Sequence, residues 1–83
     1  AALAGYAGEY TLTPGFVLTV RARDGGLFAQ ATGQGEFALE AAGQDRFEAA
    51  AYGIEIVFKR DADGEVASLD LHQGGGVLSG PRK

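Results

Sequence analysis

The residue types of a hydrolase triad alternate along one short segment, as Ser68, Asp70 and His72. In a β-strand, alternate residues share a face but lie about 6.5–7 Å apart and project in parallel. A catalytic serine, its histidine base and the orienting acid must instead converge within hydrogen-bonding distance beside an oxyanion hole. No Gly-x-Ser-x-Gly turn is present to expose the serine. The pattern therefore predicts a solvated strand face and no catalytic residue.

A second candidate is the acidic run Asp61-Ala-Asp-Gly-Glu65, whose composition is that of a calcium loop. The twelve-residue calcium loop needs its glycine at the sixth position, whereas Gly64 follows Asp61 after only two intervening residues. Aspartate and glycine at this spacing are typical of a hairpin turn. His72 is the only histidine, and no second ligand accompanies it in the sequence. We therefore expect no metal and no cofactor.

The segments that carry these residues are separated by turn signals at intervals of roughly ten residues, a spacing typical of short antiparallel strands. The signals are Pro14-Gly15, Asp24-Gly25, Gly33-Gln34-Gly35, Gly43-Gln44-Asp45, Tyr52-Gly53, Asp61 to Gly64 and Gly74-Gly75-Gly76. Seven turns with alternating apolar residues between them predict an all-β fold, an eight-stranded antiparallel up-and-down small barrel. We assign residues 6–83 to this single domain and residues 1–5 to a linker remnant. Because the chain has no methionine, we expect it to be a piece of a longer protein.

The turn lengths predict which residues pair across the strands, because a slip of one residue would reverse every side chain. The predicted inward pairs are Leu12 with Phe16, Tyr10 with Leu18, Ala22 with Leu27, Val20 with Ala29, Leu18 with Ala31, Ala49 with Ile56, Phe47 with Phe58, Phe58 with Ala67, Ile56 with Leu69 and Ile54 with Leu71. Tyr6 also points inward. Large residues opposite alanines fill a narrow barrel, so a packed core is favoured over a ligand pocket.

The same registers predict two candidate binding features on the outer face. Arg21 lies across from Phe28 and Val17 across from Thr32, which makes Val17, Arg21 and Phe28 a candidate docking patch. Alternatively, the arginine and the phenylalanine simply form a cation–π pair.

The second feature is a candidate docking or cation edge formed by Glu55, Asp70 and His72. The predicted register places Glu55 directly opposite Asp70, with Ser79 across from Asp70 on the last strand. Like charges in such positions destabilise a sheet. Either solvent screens them, or a cation from a partner or from solution neutralises them. Without that cation, both carboxyl groups should titrate abnormally high.

Composition excludes some partners. The net charge is −4 and the pI is near 4.7, so the chain lacks the clustered Lys and Arg that nucleic acid requires. No apolar run approaches the roughly twenty residues of a membrane-spanning helix, so we expect no membrane insertion. With no cysteine, the chain offers neither disulfides nor thiolate ligands. We expect its compartment to be set by the protein to which it belongs.

Several stretches together resemble a known module. They are Tyr6–Tyr10, Pro14–Phe16, Leu27–Gln34, and Phe58–Val66 with Leu71–Gln73. They resemble the small lipocalin-like barrel found C-terminal to serine hydrolases of the β-lactamase and penicillin-binding-protein superfamily. The resemblance implies a non-catalytic accessory domain whose partner is the N-terminal hydrolase domain of the parent chain. It also implies that the barrel packs on that domain and shapes substrate access or assembly.

None of the parent's catalytic motifs is present in this chain, which has no Ser-x-x-Lys, no Lys-Thr-Gly and no Asn. One departure from the module is the short last strand, which Gly80 and Pro81 interrupt, so closure of the barrel stays open. Two alternatives remain. A small apolar-ligand-binding barrel would need an interior void, and a free-standing enzyme would need turnover from Ser68 or His72.

Overall fold

The structure, a computed structural model, describes residues 2–83 and confirms the all-β fold. Eight antiparallel strands form one sheet in which every strand pairs with its sequence neighbours. The strands are β1 (Gly8–Thr13), β2 (Phe16–Arg23), β3 (Gly26–Ala31), β4 (Phe37–Gly43), β5 (Arg46–Ala49), β6 (Ile54–Arg60), β7 (Val66–Gln73) and β8 (Gly76–Pro81). Two short 3-10 helices, Ala2–Tyr6 and Ala50–Tyr52, flank the strands, and no helix in residues 2–83 is long and apolar enough to cross a membrane.

The sheet curls around one apolar core to which every strand except β8 contributes a buried apolar side chain. The buried side chains are Tyr6, Tyr10, Leu12, Leu18, Val20, Leu27, Ala29, Ala31, Leu39, Phe47, Ala49, Ile56, Phe58, Val66, Leu69 and Leu71. The predicted inward positions of Tyr6, Tyr10 and Leu12 are therefore confirmed. Rings and branched chains face alanines across the interior, which is how a narrow barrel fills itself.

The β2–β3 hairpin has the predicted register at every pair, including Arg21 opposite Phe28. Its turn residues Asp24 and Gly25 both have positive φ, 54° and 75°. This is the geometry of a type I′ turn, which matches the twist of the two strands it joins. Two residues of local sequence therefore determine the pairing of two complete strands.

The β1–β2 hairpin departs slightly from the prediction. Tyr10 pairs with Leu18 as expected, but Thr13 rather than Leu12 lies opposite Phe16, because the register shifts between Thr11 and Thr13. The extra residue is a β-bulge, which lets one strand carry two residues against one. Leu12 remains buried, so the bulge alters the pairing without changing the core.

The predicted registers of β5–β6 and β6–β7 are wrong by two residues. Phe47 lies opposite Ile56 rather than Phe58, because residues 50–52 form a 3-10 turn and lengthen the loop. Ile56 lies opposite Leu71 rather than Leu69, because the β6–β7 loop takes five residues and a bulge follows Lys59. A shift of two residues keeps every side chain on its face, so the predicted core largely survives.

Ala67 is the exception among the predicted inward residues, since it lies exposed on the surface. The bulge beside Arg60 turns Val66 inward in its place, where this valine is 2% exposed. The irregular ladder thus exchanges a small core residue for a larger one at the end of the barrel.

The two ends of the barrel differ. The end we call capped carries the N-terminal 3-10 helix and the turns at 24–25, 44–45 and 61–65. Tyr6 and Leu3 pack against the core from this helix. The end we call open carries the loops at 14–15, 32–36, 50–53 and 74–75, and its apolar residues Phe16, Phe37 and Ile54 are only partly buried.

Closure between the first and last strands is confined to the capped end. Tyr10 and Arg82 form a bridge, and the Lys83 N–H donates to the Glu9 carbonyl at 2.7 Å. The strands then cross at Gly80. A Cβ added there would clash with the Thr11 carbonyl and would lie 2.9 Å from a Leu12 methyl group.

We predict that Gly80→Ala destabilises the protein by about 3 kcal/mol or more, because backbone rather than a flexible side chain fills the space. Urea unfolding followed by circular dichroism would measure this. Gly35→Ala is the matched control, since nothing lies within 4 Å of its Cβ. Equal stability of the two variants would contradict the crossing.

Candidate functional site

The triad-like residues lie along β7 and do not converge. Asp70 accepts a hydrogen bond from the Ser79 hydroxyl at 2.7 Å and lies 3.7 Å from the Lys59 ammonium. His72 faces Glu55 and Val77 on the neighbouring strands. Within residues 2–83 no hydrogen bond joins Ser68, Asp70 and His72. The aspartate therefore orients a serine and a lysine on adjacent strands rather than a histidine.

The predicted like-charge pair at the candidate docking edge is wrong. Glu55 lies opposite His72, and Asp70 lies opposite Val57, because the β6–β7 register is shifted by two residues. The placement of Ser79 across from Asp70 is confirmed. The three candidate edge residues thus share a face, but the repulsion that would have called for a cation from elsewhere does not arise between them.

Glu55 instead pairs with Arg46, which donates to it from both Nε and Nη2. Hydrogen bonds from this guanidinium lower the pKa of Glu55, the opposite of the predicted rise. The carboxylate that does face Glu55 is Glu48, across the β5–β6 ladder. Arg46 therefore neutralises one of these two facing carboxylates.

The candidate docking patch has the predicted register, with a different cation over the ring. Arg23 lies 4.0 Å from the centroid of Phe28, whereas Arg21 turns toward Glu36 at 3.0 Å and Gln30 at 2.9 Å. Val17 and Thr32 are joined by hydrogen bonds, as their predicted position across from each other requires.

Two guanidiniums share one carboxylate at this patch, since Arg23 also pairs with Glu36. These three side chains carry one net positive charge in a chain whose total is −4. Val17 and Phe28 lie half-buried beside them. The outer face of β2–β3 therefore combines apolar surface with local positive charge.

Sequence reasoning missed a polar cluster at the capped end, formed by Tyr6, Asp45 and Arg60. The Tyr6 hydroxyl donates to Asp45 Oδ1 at 2.7 Å, and Arg60 donates to the two oxygens of Asp45 at 2.8 and 3.1 Å. Arg60 also donates to the Gly64 carbonyl at 2.7 Å. The cluster thus joins the N-terminal helix, the β4–β5 turn and the β6–β7 loop, which are far apart in sequence.

Electrostatics keeps this cluster in one protonation state. The Arg60 guanidinium and then the Tyr6 hydroxyl lower the pKa of Asp45, while Asp45 raises the pKa of Arg60. Burial, followed by the bond to Asp45, raises the pKa of Tyr6. None of the three groups is free to exchange a proton near neutrality, so the cluster is suited to holding the capped end together. Of the three cluster residues, the sequence singled out only Asp45 as polar, as part of a turn signal. In the structure this turn residue has a positive φ of 59°.

At the open end, the hollow that leads into the apolar core is a pit of about 70 Å³, and two wider clefts of about 250 and 480 Å³ lie on the surface beside it. The apolar lining of the pit is Phe16, Leu18, Ala31, Phe37, Ile54 and Leu71. Pockets for drug-sized ligands are about 300–1,000 Å³. Tyr52, 60% exposed, lies on the rim with its ring 5.3 Å from that of Phe37. Across the described part of the chain, no group of three or more His, Cys, Asp and Glu side chains is arranged to hold a metal.

Comparison with known proteins identifies the family. The model of a family described as "Domain of unknown function (DUF3471)" matches residues 1–78. The chain belongs to this family. No curated protein and no solved structure matches it. The match extends through seven strands and into β8, and therefore covers most of the barrel. The description of the family assigns no activity.

We predict that the Tyr6–Asp45–Arg60 cluster makes stability depend on pH. Because the folded state lowers the pKa of Asp45, its contribution is full above the ordinary value of 3.8 and is lost as pH falls through the lower folded pKa. Asp45→Asn should therefore flatten the acid side of the curve of unfolding free energy against pH. Tyr6→Phe should cost about 1 kcal/mol at neutral pH through the lost hydrogen bond.

Urea unfolding at a series of pH values, with NMR titration of the Asp45 carboxyl group, would measure both effects. Asp63→Asn is the matched control, because the Asp63 side chain makes no hydrogen bond within residues 2–83. An acid limb that is equally steep in Asp45→Asn and the parent protein would contradict the assignment.

Proposed function

We propose that this barrel is a non-catalytic accessory domain of a larger serine hydrolase of the β-lactamase-like class, of the esterase or peptidase type. It packs on the catalytic domain and shapes substrate access or assembly. The resemblance of nearly the whole sequence to the barrel found C-terminal to such hydrolases supports this proposal. So does the side-chain arrangement, because Asp70 is engaged by Ser79 and Lys59 rather than by a histidine base.

The docking proposal rests on the combination of an aromatic ring and excess arginine on the outer face of β2–β3. Here Phe28 lies under Arg23, and the surrounding arginines outnumber their carboxylate. Aromatic residues and arginine are enriched at protein interfaces. Since this face is positive in an acidic chain, the surface of the hydrolase domain that meets it should carry carboxylates.

A small apolar-ligand-binding barrel is the second candidate function. The 70 Å³ pit between Phe16 and Phe37 is the part of the open end that such a ligand would enter. It is smaller than usual ligand pockets by a factor of about four or more. The packed interior therefore favours the accessory domain. Titration with a lipophilic dye separates the two, since saturable binding in the barrel interior would support a ligand site.

We predict that Phe28→Ser weakens the association of the barrel with its hydrolase domain by at least tenfold while costing the isolated barrel no more than about 1 kcal/mol. The cost stays small because the ring lies on the outer face, where a cation–π contact contributes about 0.5–1 kcal/mol. Calorimetric titration of the separately produced hydrolase domain with the barrel would measure association. Thermal unfolding of each barrel variant alone would measure stability.

Tyr52→Ser is the matched control for this experiment, because it removes an exposed aromatic ring from the open end. Retained affinity in Phe28→Ser with lost affinity in Tyr52→Ser would move the docking surface to the open end. Unchanged affinity in both variants would contradict docking through either aromatic surface.

We also predict that the isolated barrel hydrolyses neither nitrocefin nor short-chain p-nitrophenyl esters above the rate in buffer. A nucleophile with its base and an oxyanion hole normally supplies most of the rate enhancement of such enzymes. Ser68→Ala should accordingly leave the measured rate unchanged. Turnover that disappears in this variant would overturn the accessory assignment and restore the free-standing enzyme.

A further inference from the structure

Two arginines on the outer face of β2 hold one carboxylate that comes from the chain itself. Arg21 Nη1 lies 3.0 Å from one oxygen of Glu36, and Arg23 pairs with the other oxygen. The two arginines are alternate residues of one strand, so their side chains project from the same face. An arginine fork can bind a carboxylate through two nitrogens. Since Glu36 gives each guanidinium only one oxygen, it fills neither fork.

Each guanidinium also has a second contact that does not involve Glu36. Arg21 donates to the Gln30 side chain at 2.9 Å, and Arg23 lies 4.0 Å from the centroid of the Phe28 ring. Both of these neighbours belong to β3, the strand that pairs with β2. The β2–β3 hairpin by itself therefore keeps the two cations on this face, whether or not Glu36 is bound to them.

Glu36 is held less firmly than the arginines that it bridges. It lies in the exposed loop 32–36 and precedes the first residue of β4. Next to it, a Cβ added at Gly35 would meet nothing within 4 Å, so the space around this part of the loop is open. Exposed side chains change rotamer rapidly, and exposed ion pairs contribute little free energy. The Glu36 side chain can therefore leave the arginines at small cost and without a change in the strands.

We propose that Glu36 is an internal competitor, which occupies a two-arginine carboxylate site until a carboxylate of the hydrolase domain replaces it. This inference rests on the proposed function and adds a regulation to the same docking face. When Glu36 turns to solvent, Arg21 and Arg23 present two positive charges in place of one net charge. Until then, the competitor weakens the binding of acidic surfaces that do not also fit the apolar part of the face. Such a penalty on wrong partners is a source of specificity.

The chemistry of the occupant follows from what the site already holds. A carboxylate bridges both guanidiniums in this structure, so a second carboxylate fits the same donors. The face is positive in a chain whose net charge is −4, which favours an acidic partner surface over the rest of the barrel. Val17 and Phe28 lie half-buried beside the arginines and offer apolar contact area. A protein surface uses this area, whereas a free anion does not.

Glu36→Gln tests the proposal through the sign of its effect on docking. A competitor that is removed should let the barrel bind the separately produced hydrolase domain about three- to tenfold more tightly in calorimetric titration, since two exposed ion pairs no longer have to be broken. If Glu36 instead held the arginines in place for the partner, the affinity should fall.

Asp24→Asn is the matched control for the change in charge. Asp24 is adjacent to Arg23 in sequence, its carboxylate forms no ion pair within residues 2–83, and asparagine tolerates its positive φ of 54°. Because salt screens such an exposed charge, Asp24→Asn should change the affinity by less than about twofold.

A double-mutant cycle separates competition from simple repulsion between Glu36 and an acidic partner. In a barrel that carries Arg21→Gln and Arg23→Gln, Glu36 has no guanidinium to occupy. Glu36→Gln should give no gain in affinity in this background, whereas relief of repulsion would give the same gain in both backgrounds. Thermal unfolding checks the fold, and Glu36→Gln should keep the melting temperature within a few degrees because exposed ion pairs contribute little.

A second measurement does not need the hydrolase domain. Succinate is titrated into the barrel at low ionic strength, where exposed charges are screened least, and sodium chloride of equal ionic strength is the reference. NMR follows the side-chain Nε–H signals of Arg21 and Arg23. Both signals should shift saturably in Glu36→Gln, with half-saturation at a succinate concentration at least about threefold lower than in the parent barrel.

The competitor would be excluded by unchanged or weaker binding of the hydrolase domain to Glu36→Gln. It would also be excluded by a gain that Asp24→Asn reproduces, by a gain that persists without the arginines, or by equal succinate binding in Glu36→Gln and the parent. A different result tests the proposed function. If no barrel associates with the hydrolase domain but succinate binding still increases in Glu36→Gln, docking to that domain is wrong and the two-arginine carboxylate site stands.

Discussion

The contact between β1 and β8 at Gly80 is the constraint on which the barrel depends. A chain of 83 residues buries a modest share of its surface, so it gains much from a sheet that closes on itself. Closure here requires two strands to cross at a distance that only glycine permits, above the Thr11 carbonyl. Next to this contact, Lys83 bonds to Glu9, and Arg82 forms a bridge with Tyr10. The close approach at Gly80 therefore belongs to the closure of the capped end.

At the capped end, a side chain from the N-terminal 3-10 helix stabilises the barrel. Tyr6 lies with its ring against Phe47 and Phe58, at centroid distances of 5.1 and 4.5 Å, and its hydroxyl reaches Asp45. One side chain thus serves the apolar core and the polar cluster, and Arg60 connects both to the β6–β7 loop. The open end has no comparable cluster within residues 2–83. The exposed apolar residues Tyr52 and Leu78 lie toward that end, so partners should be sought there and on the outer faces.

The outer faces explain why a search for chemistry finds so little. Both acidic side chains of the candidate docking edge are paired with a cation on a neighbouring strand, Glu55 with Arg46 and Asp70 with Lys59. Exposed ion pairs of this kind contribute little free energy. Their arrangement nevertheless decides which charges remain available to a partner. On β2–β3 the arginines remain in excess, and this imbalance is the physical basis of the proposed docking face.

The sequence alone determined the fold class, the eight strands and nearly all of the core, because turn residues and two-residue alternation act locally. The Asp24-Gly25 turn even determined an entire register, since its positive φ angles allow one hairpin geometry. Tertiary structure decided the registers of β5–β6 and β6–β7, where a 3-10 turn and a bulge shifted the pairing by two residues. Such a shift leaves the hydrophobic pattern unchanged, so the pattern could not reveal it, and Glu55 was assigned the wrong neighbour.

Tertiary structure also decided features that join distant parts of the chain. Asp45 and Arg60 meet Tyr6 only because the barrel closes, and nothing near any of them in sequence indicates the other two. Leu78 likewise is 40% exposed although it lies opposite the buried Leu71. An apolar residue at this position of a strand is equally compatible with burial and with exposure, so the sequence could not distinguish the two. Local sequence specifies which side of a strand a residue occupies, but only the packing of the whole sheet specifies what lies opposite it.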